Sequence, residues 1–241
     1  MNREYHRWFS PRLCRDMELL IFGHAGARVL VFPTREGRFY DYENWHLVAA
    51  LQERIEQGHL QLFCVDSVDS EALYCRQIQP ACRMARHKQY EGYILEEVLP
   101  LMHSRGSGPI VAHGCSIGGY HAVNLAFRNP HLFERVLALS GRYDLTRPMG
   151  PFADLFDGYY DPDVYFHTPN HYIPNLADPW ILERLRHIDI TLVIGEHDPF
   201  YPSNLELSQA LWSKDVRNRL VVWGNEAHRA HFWREMVRQH L

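Results

Sequence analysis

Along the chain the spacing of apolar positions switches repeatedly between strand-like and helix-like periods, and the switches mark out the elements. Glu4 to Phe9 and Asp16 to Phe22 flank Ser10-Pro11-Arg12 and predict an antiparallel hairpin opening the sheet. After a turn at Gly23-His24-Ala25-Gly26, Val29-Leu30-Val31-Phe32 is apolar throughout, the pattern of a strand covered on both faces, and Pro33 ends it. Trp45, Leu47, Val48, Ala49, Leu51 and Ile55 give Tyr42 to Gln57 a helical stripe ended by Gly58. Leu60 to Val65 predicts the next strand. Pro80 to Met102 predicts a long helix with Met84, Tyr93, Ile94, Leu95, Val98 and Leu101 on its inner face.

From Pro109 to Asn129 a short apolar run meets Gly114-Cys115-Ser116-Ile117-Gly118 and passes into a helical pattern. Arg135 to Ser140 predicts a strand. From Gly141 to about Pro179 the periodicity breaks down. Six of the fourteen prolines fall there, with many aromatics, so this stretch is expected to be an irregular functional insertion. Alternation then resumes: Trp180 to His187 helix, Thr191 to Ile194 strand, Asn204 to Lys214 helix, Arg219 to Trp223 strand, Ala230 to Gln239 helix. Strands alternating with helices predict an α/β fold, a mostly parallel sheet with helices on both faces. The 241 residues fit one domain of that kind.

Composition narrows the picture. A net charge of -4 gives no electrostatic case for nucleic acid. No apolar run is long enough for a membrane span, and the N-terminus has charge without an apolar stretch behind it. The five cysteines are odd in number and form no Cys-x-x-Cys pair, which speaks against a disulfide framework or a zinc site. The expectation is a cytoplasmic protein.

The chemistry concentrates at Gly-x-Ser-x-Gly between a strand and a helix. That context makes a nucleophile elbow, with Ser116 projecting from a strained turn. A serine hydroxyl needs a base to take its proton as it attacks, and the base needs an acid to fix its tautomer. Asp198, at the end of the Thr191–Ile194 strand, and His228, just past the last strand, follow Ser116 in the order Ser, Asp, His. Glu196 and Asp144 are rival acids, and His231 is a rival base already on the last helix. An oxyanion hole needs two donors. The Ile117 N–H is one. The Arg35 N–H, in the loop after the Val29–Phe32 strand, is expected to be the other, with Thr34 or Glu36 as alternatives.

Other features carry weaker expectations. Arg142 and Tyr143 directly follow a strand end and are candidates for the substrate pocket. The aromatics between Tyr143 and Tyr172 fit a pocket or a contact between copies of the chain, so a homo-oligomer is an open reading. His167 and His171 are four apart, but Pro169 breaks the helix that would align them, so neither a metal nor another cofactor is expected. Asp157, Asp161 and Asp163 lack the glutamate that closes a calcium loop. Cys115 should turn away from the elbow tip into the core.

With these residues in place, the chain resembles the esterase branch of the α/β-hydrolase superfamily, which includes esterase D (S-formylglutathione hydrolase), feruloyl and acetylxylan esterases, enterochelin esterases and mycolyltransferases. The resemblance rests on Gly114–Gly119, on the Gly-x-x-Asp of Gly195–Asp198, and on His228 followed five residues later by Trp233, and it spans nearly the whole chain. It implies an α/β-hydrolase fold and hydrolysis of small carboxylic esters through an acyl-serine, without a metal. The loop Pro33-Thr34-Arg35-Glu36 departs from the family's usual oxyanion loop. The alternatives are acyl transfer by the same acyl-serine, or a non-catalytic binding protein on the same fold.

Overall fold

A computed structural model of the chain describes residues 1–225 and 227–241. The hairpin is β1 (Arg3–Ser10) and β2 (Arg15–Phe22), antiparallel to each other. β3 (Ala27–Phe32) follows. The predicted helix over Tyr42 to Gln57 is instead three short ones: α1 (Asp41–Asn44), α2 (Leu47–Ala50) and α3 (Gln52–Glu56). The break comes at His46, whose φ of 61° is left-handed. Tertiary contacts override the helical spacing there. The Tyr42 hydroxyl pairs with His113 at 2.9 Å, the Trp45 ring lies 5.8 Å from Trp233, and Arg234 donates to the Trp45 carbonyl at 3.2 Å.

β4 (Leu60–Val65) leads to α4 (Pro80–Tyr93), a π-helical turn at Ile94–Val98, and α5 (Leu99–Ser104), one nearly continuous helix as expected. Pro100 offers no N–H to the ladder, and the wider π turn just ahead of it accommodates that loss. Next come β5 (Ile110–Cys115), α6 (Ile117–Arg128) and β6 (Arg135–Leu139).

The 141–179 stretch is not wholly irregular: it contains α7 (Pro162–Phe166) and α8 (Pro169–Asn175), and α9 (Pro179–Arg186) starts at its end. Each opens on a proline whose missing N–H costs nothing in the first turn. Asp161 caps α7 by accepting from the Val164 N–H at 2.8 Å, and Asp178 caps α9. β7 (Asp189–Gly195), α10 (Tyr201–Ser213), β8 (Arg219–Trp223) and α11 (Ala230–His240) complete the chain.

The sheet order is β1-β2-β4-β3-β5-β6-β7-β8. Among the described residues only β1–β2 and β2–β4 are antiparallel strand pairs; the pairs from β4 to β8 are all parallel. β4 and β5 are buried along their whole length, because helices cover both faces. One apolar layer packs α4–α6 and α8–α10 against the sheet; the other packs α1–α3 and α11 against the opposite face. The chain runs from β3 to β4 on one side and then to β5 on the other. That reversal opens a crevice at the carboxyl ends of β3 and β5, where open α/β sheets bind ligands. Ser116 and the Pro33–Gly37 loop both lie at those ends.

Candidate active site

Ser116 sits between β5 and α6 with φ 57° and ψ -124°, a conformation that costs a non-glycine residue about 1–3 kcal/mol. The surroundings impose it. The Ser116 N–H donates to the Leu139 carbonyl at 2.8 Å, tying the turn to β6. A Cβ on Gly114 would come within 2.4 Å of the Gly118 carbonyl, and a Cβ on Gly118 within 2.5 Å of the Phe32 and Pro33 carbonyl oxygens. Both glycines are therefore required by close backbone approach, and the loop after β3 lies directly against the start of α6.

His228 comes from the segment between β8 and α11. Its Nε2 is 3.0 Å from Ser116 Oγ and its Nδ1 is 2.8 Å from Asp198 Oδ2. With Nδ1–H donating to the carboxylate, Nε2 carries the lone pair that accepts the serine proton. The Asp198 side chain is fully buried and that of His228 is partly exposed. Asp198 Oδ1 accepts from the Phe200 N–H at 2.9 Å, which fixes the carboxylate plane. The imidazole is held edge-to-face between Phe200 and Trp233, with ring centroids 5.5 and 5.4 Å away, and Phe152 lies 6.4 Å off. Trp233 Nε1 in turn donates to Ser140 Oγ at 3.1 Å. The three residues named from the sequence thus form one hydrogen-bonded chain.

The rivals are engaged elsewhere. Asp144 Oδ1 accepts from the Thr146 N–H and hydroxyl, and its carboxyl, held below the usual range by bonds to His171 and Thr146 that outweigh burial, faces His171. Glu196 is exposed and accepts from the Asn225 N–H at 3.2 Å. His231 is exposed and stacks on Phe232. Cys115 is buried, and burial pushes its thiol well up.

Of the N–H groups expected to meet an oxyanion, that of Ile117 opens α6 and has no intrahelical acceptor. Across from it, the Gly37 N–H closes a turn on the Thr34 carbonyl at 2.8 Å, and among the described residues the Thr34, Arg35 and Glu36 N–H groups are not bonded. The Arg35 guanidinium stands 4.7 Å over the Tyr74 ring.

The two pocket candidates are placed differently from expectation. Tyr143 is fully buried: the positive φ of Ser140 turns the chain inward after β6, and the Tyr143 N–H binds Ser203 Oγ at 2.9 Å. Arg142 is also buried. It donates to the carbonyls of Asp144, Arg147 and Ala153 at 2.8–2.9 Å and so braces the insertion, with Phe200 5.8 Å from its guanidinium. Phe152 is one of the insertion aromatics expected to fit a pocket or a contact between copies, whereas Phe200 and Ser140 have no place in the sequence expectations. Phe200, two residues past Asp198, carries a positional signal.

One group among the described residues has metal-like spacing. His87, Glu91 and His167 each offer a ligand atom within 4.8 Å of the others. Arg128 Nη1 already bonds both Glu91 and His167, so a cation fills that space. The acidic loop is likewise committed: Asp157 pairs with Arg76 and Arg83, and Asp163 with Lys88.

Residues 41–234 match the family model described as "Putative esterase". The chain belongs to this esterase family. It is a carboxylesterase-type enzyme on an α/β-hydrolase fold. Solved structures agree in fold. A ferulic acid esterase superposes with a TM-score of 0.78 at 17% identity, covering 100% of this chain and 96% of its own. An S-formylglutathione hydrolase from Agrobacterium tumefaciens gives 0.76 at 14% identity, covering 99% and 92%. The S-formylglutathione hydrolase FrmB from Staphylococcus aureus gives 0.70 at 16%, covering 99% and 94%. No curated protein matches the sequence. No helix among the described residues is long and apolar enough to cross a membrane.

Proposed function

We propose that this esterase acts through an acyl-serine, with Ser116 as nucleophile, His228 as general base and Asp198 as its orienting carboxylate, on small carboxylic esters with short acyl groups. The observation that carries the reading is the unbroken chain from Asp198 Oδ2 to His228 Nδ1 at 2.8 Å and from His228 Nε2 to Ser116 Oγ at 3.0 Å. Ser116 Oγ attacks the ester carbonyl as its proton passes to His228 Nε2. The tetrahedral oxyanion is met by the Ile117 N–H and by an N–H of the Thr34–Glu36 turn, for which we assign Arg35. The C–O bond to the alcohol then breaks, and His228 returns the proton to the leaving oxygen. Water, deprotonated by the same imidazole, releases the acid.

The S-formylglutathione hydrolases among the structures of similar fold support a short acyl group. The five free cysteines support a cytoplasmic location. The test is turnover of p-nitrophenyl acetate and butyrate by the purified protein, with added methanol to expose acyl transfer. Hydrolysis abolished in Ser116→Ala is the expected result. Full activity in that variant would overturn the assignment, and methyl ester as the dominant product would move the function to acyl transfer.

A further inference from the structure

On the face of the molecule served by the far end of α6, a groove of about 430 Å³ opens between α6, α7 and α8. That volume lies within the range of small-molecule sites. Phe127, Tyr165, Phe166, Leu176 and Ile181 give it an apolar wall. Phe166, 55% exposed, stands at its edge with its ring against Tyr165. Arg128 lies twelve residues beyond Ser116 along α6, about 18 Å at 1.5 Å per residue, so the groove is separate from the elbow.

The polar groups of this groove, on Lys88, Arg128, Asp163, His167, Tyr172 and Asn175, are committed unequally. Arg128 spends only Nη1 inward, on Glu91 and His167. His167 Nδ1 bonds the Asp163 carbonyl at 2.6 Å, and its Nε2 meets both the Arg128 guanidinium and Glu91 Oε2, the latter at 3.0 Å. Arg128 Nε and Nη2 have no acceptor among the described residues, yet they are not sealed off, since the side chain keeps 31% of its exposure and lines the groove. The Tyr172 hydroxyl, in a residue 7% exposed that lines the same groove, is buried with no partner among the described residues. Lys88 spends its ammonium on both oxygens of Asp163 at 2.9 Å, whereas Arg128, although paired with Glu91, keeps an unbonded edge.

We propose that this groove binds a monocarboxylate with an apolar body. The carboxylate takes the free Nε–Nη2 edge of Arg128, whose planar fork matches two carboxylate oxygens, and accepts from the Tyr172 hydroxyl. The apolar body lies along Phe127, Tyr165, Phe166 and Leu176. The arrangement explains why an arginine already paired with a buried glutamate leaves its second edge open, and why an O–H donor is left unspent in the same groove.

The test is isothermal titration of the whole protein with sodium decanoate below its micellar concentration, with 1-decanol as the neutral counterpart. Arg128→Lys keeps the charge opposite Glu91 but loses the fork. Ala177→Glu puts a like charge on an exposed lining position. Tyr172→Phe removes a hydroxyl that no protein group uses. Saturable one-to-one binding of decanoate is expected, weakened about tenfold or more by Arg128→Lys and by Ala177→Glu and several-fold by Tyr172→Phe, with 1-decanol weaker than decanoate and ester hydrolysis unchanged in Ala177→Glu. Absence of saturable binding would overturn the proposal. So would equal affinity in Ala177→Glu and Tyr172→Phe, which would put decanoate elsewhere even if Arg128→Lys does not fold.

Discussion

Replacing Asp198 by Asn probes the hydrogen-bonded chain without changing its shape. Asp198 uses Oδ2 for His228 Nδ1–H and Oδ1 for the Phe200 N–H, both as acceptor. An asparagine has one oxygen to offer. If it faces Phe200, the amide N–H₂ meets His228 and forces Nδ1 to become the acceptor. Nε2 then carries the proton and donates to Ser116 Oγ, so the imidazole cannot take the serine proton. If the amide flips, two donors meet at the Phe200 N–H in a fully buried spot, at a cost of about 1–3 kcal/mol. The first arrangement is therefore favoured, and it is the unproductive tautomer. The corresponding change in a Ser-His-Asp protease, a worked example of this effect, lowers kcat about 10⁴-fold. At 1.36 kcal/mol per decade that is about 5.5 kcal/mol of transition-state stabilisation. The assay is p-nitrophenyl acetate turnover at saturating substrate, alongside thermal melting to show that the fold survives. A fall of less than tenfold in a folded Asp198→Asn protein would refute the reasoning and bring Glu196 or Asp144 back as the acid.

Three more expectations follow from particular contacts. Gly118→Ala places a Cβ 2.5 Å from the Phe32 and Pro33 oxygens, so the start of α6 or the β3 loop must shift, and esterase activity should drop about 10²-fold; unchanged kcat/KM would contradict the close approach. Arg142→Met leaves three loop carbonyls without their donor, which should destabilise the protein by about 2–4 kcal/mol in urea titration and speed proteolysis within 141–179, whereas wild-type stability would dismiss the brace. His113, buried with Nδ1–H on the Leu137 carbonyl and Nε2 facing the Tyr42 hydroxyl, is pushed down to about 4 by desolvation. Its unfolded value is about 6.5, so the unfolded chain binds the proton first, and stability present above pH 6.5 is lost as pH falls towards 4, by up to about 3 kcal/mol. Urea midpoints at pH 7 and 4.5 should diverge more for the wild type than for His113→Gln, and parallel shifts would count against this.

The strands were legible because their burial is complete. β3, β5 and β7 are covered on both faces, so their sequences are apolar runs that no other element explains. The residues at their carboxyl ends were legible for the same reason, and Ser116, Asp198 and His228 were named from position and residue type alone. The helices after β3 were not. Nothing local in Trp45-His46-Leu47 breaks a helix; the break comes from partners on β5 and α11, distant in sequence. In the 141–179 stretch the prolines read locally as disruption, whereas Pro162 and Pro169 sit at first-turn positions that favour helix, and Asp161 is a cap. Tyr143 illustrates a different gap. A strand end predicts closeness to the crevice but not which way the chain turns next, and here the left-handed Ser140 sends the side chain into the core.

The measurement that bears most directly on the central claim is intact-mass spectrometry of the folded protein after a fluorophosphonate probe, followed by peptide mapping. The account predicts a single adduct on Ser116, formed rapidly in the wild type, slowed strongly in His228→Ala and absent in Ser116→Ala. A folded wild-type protein that stays unlabelled, or one that carries the adduct on another residue, would contradict it.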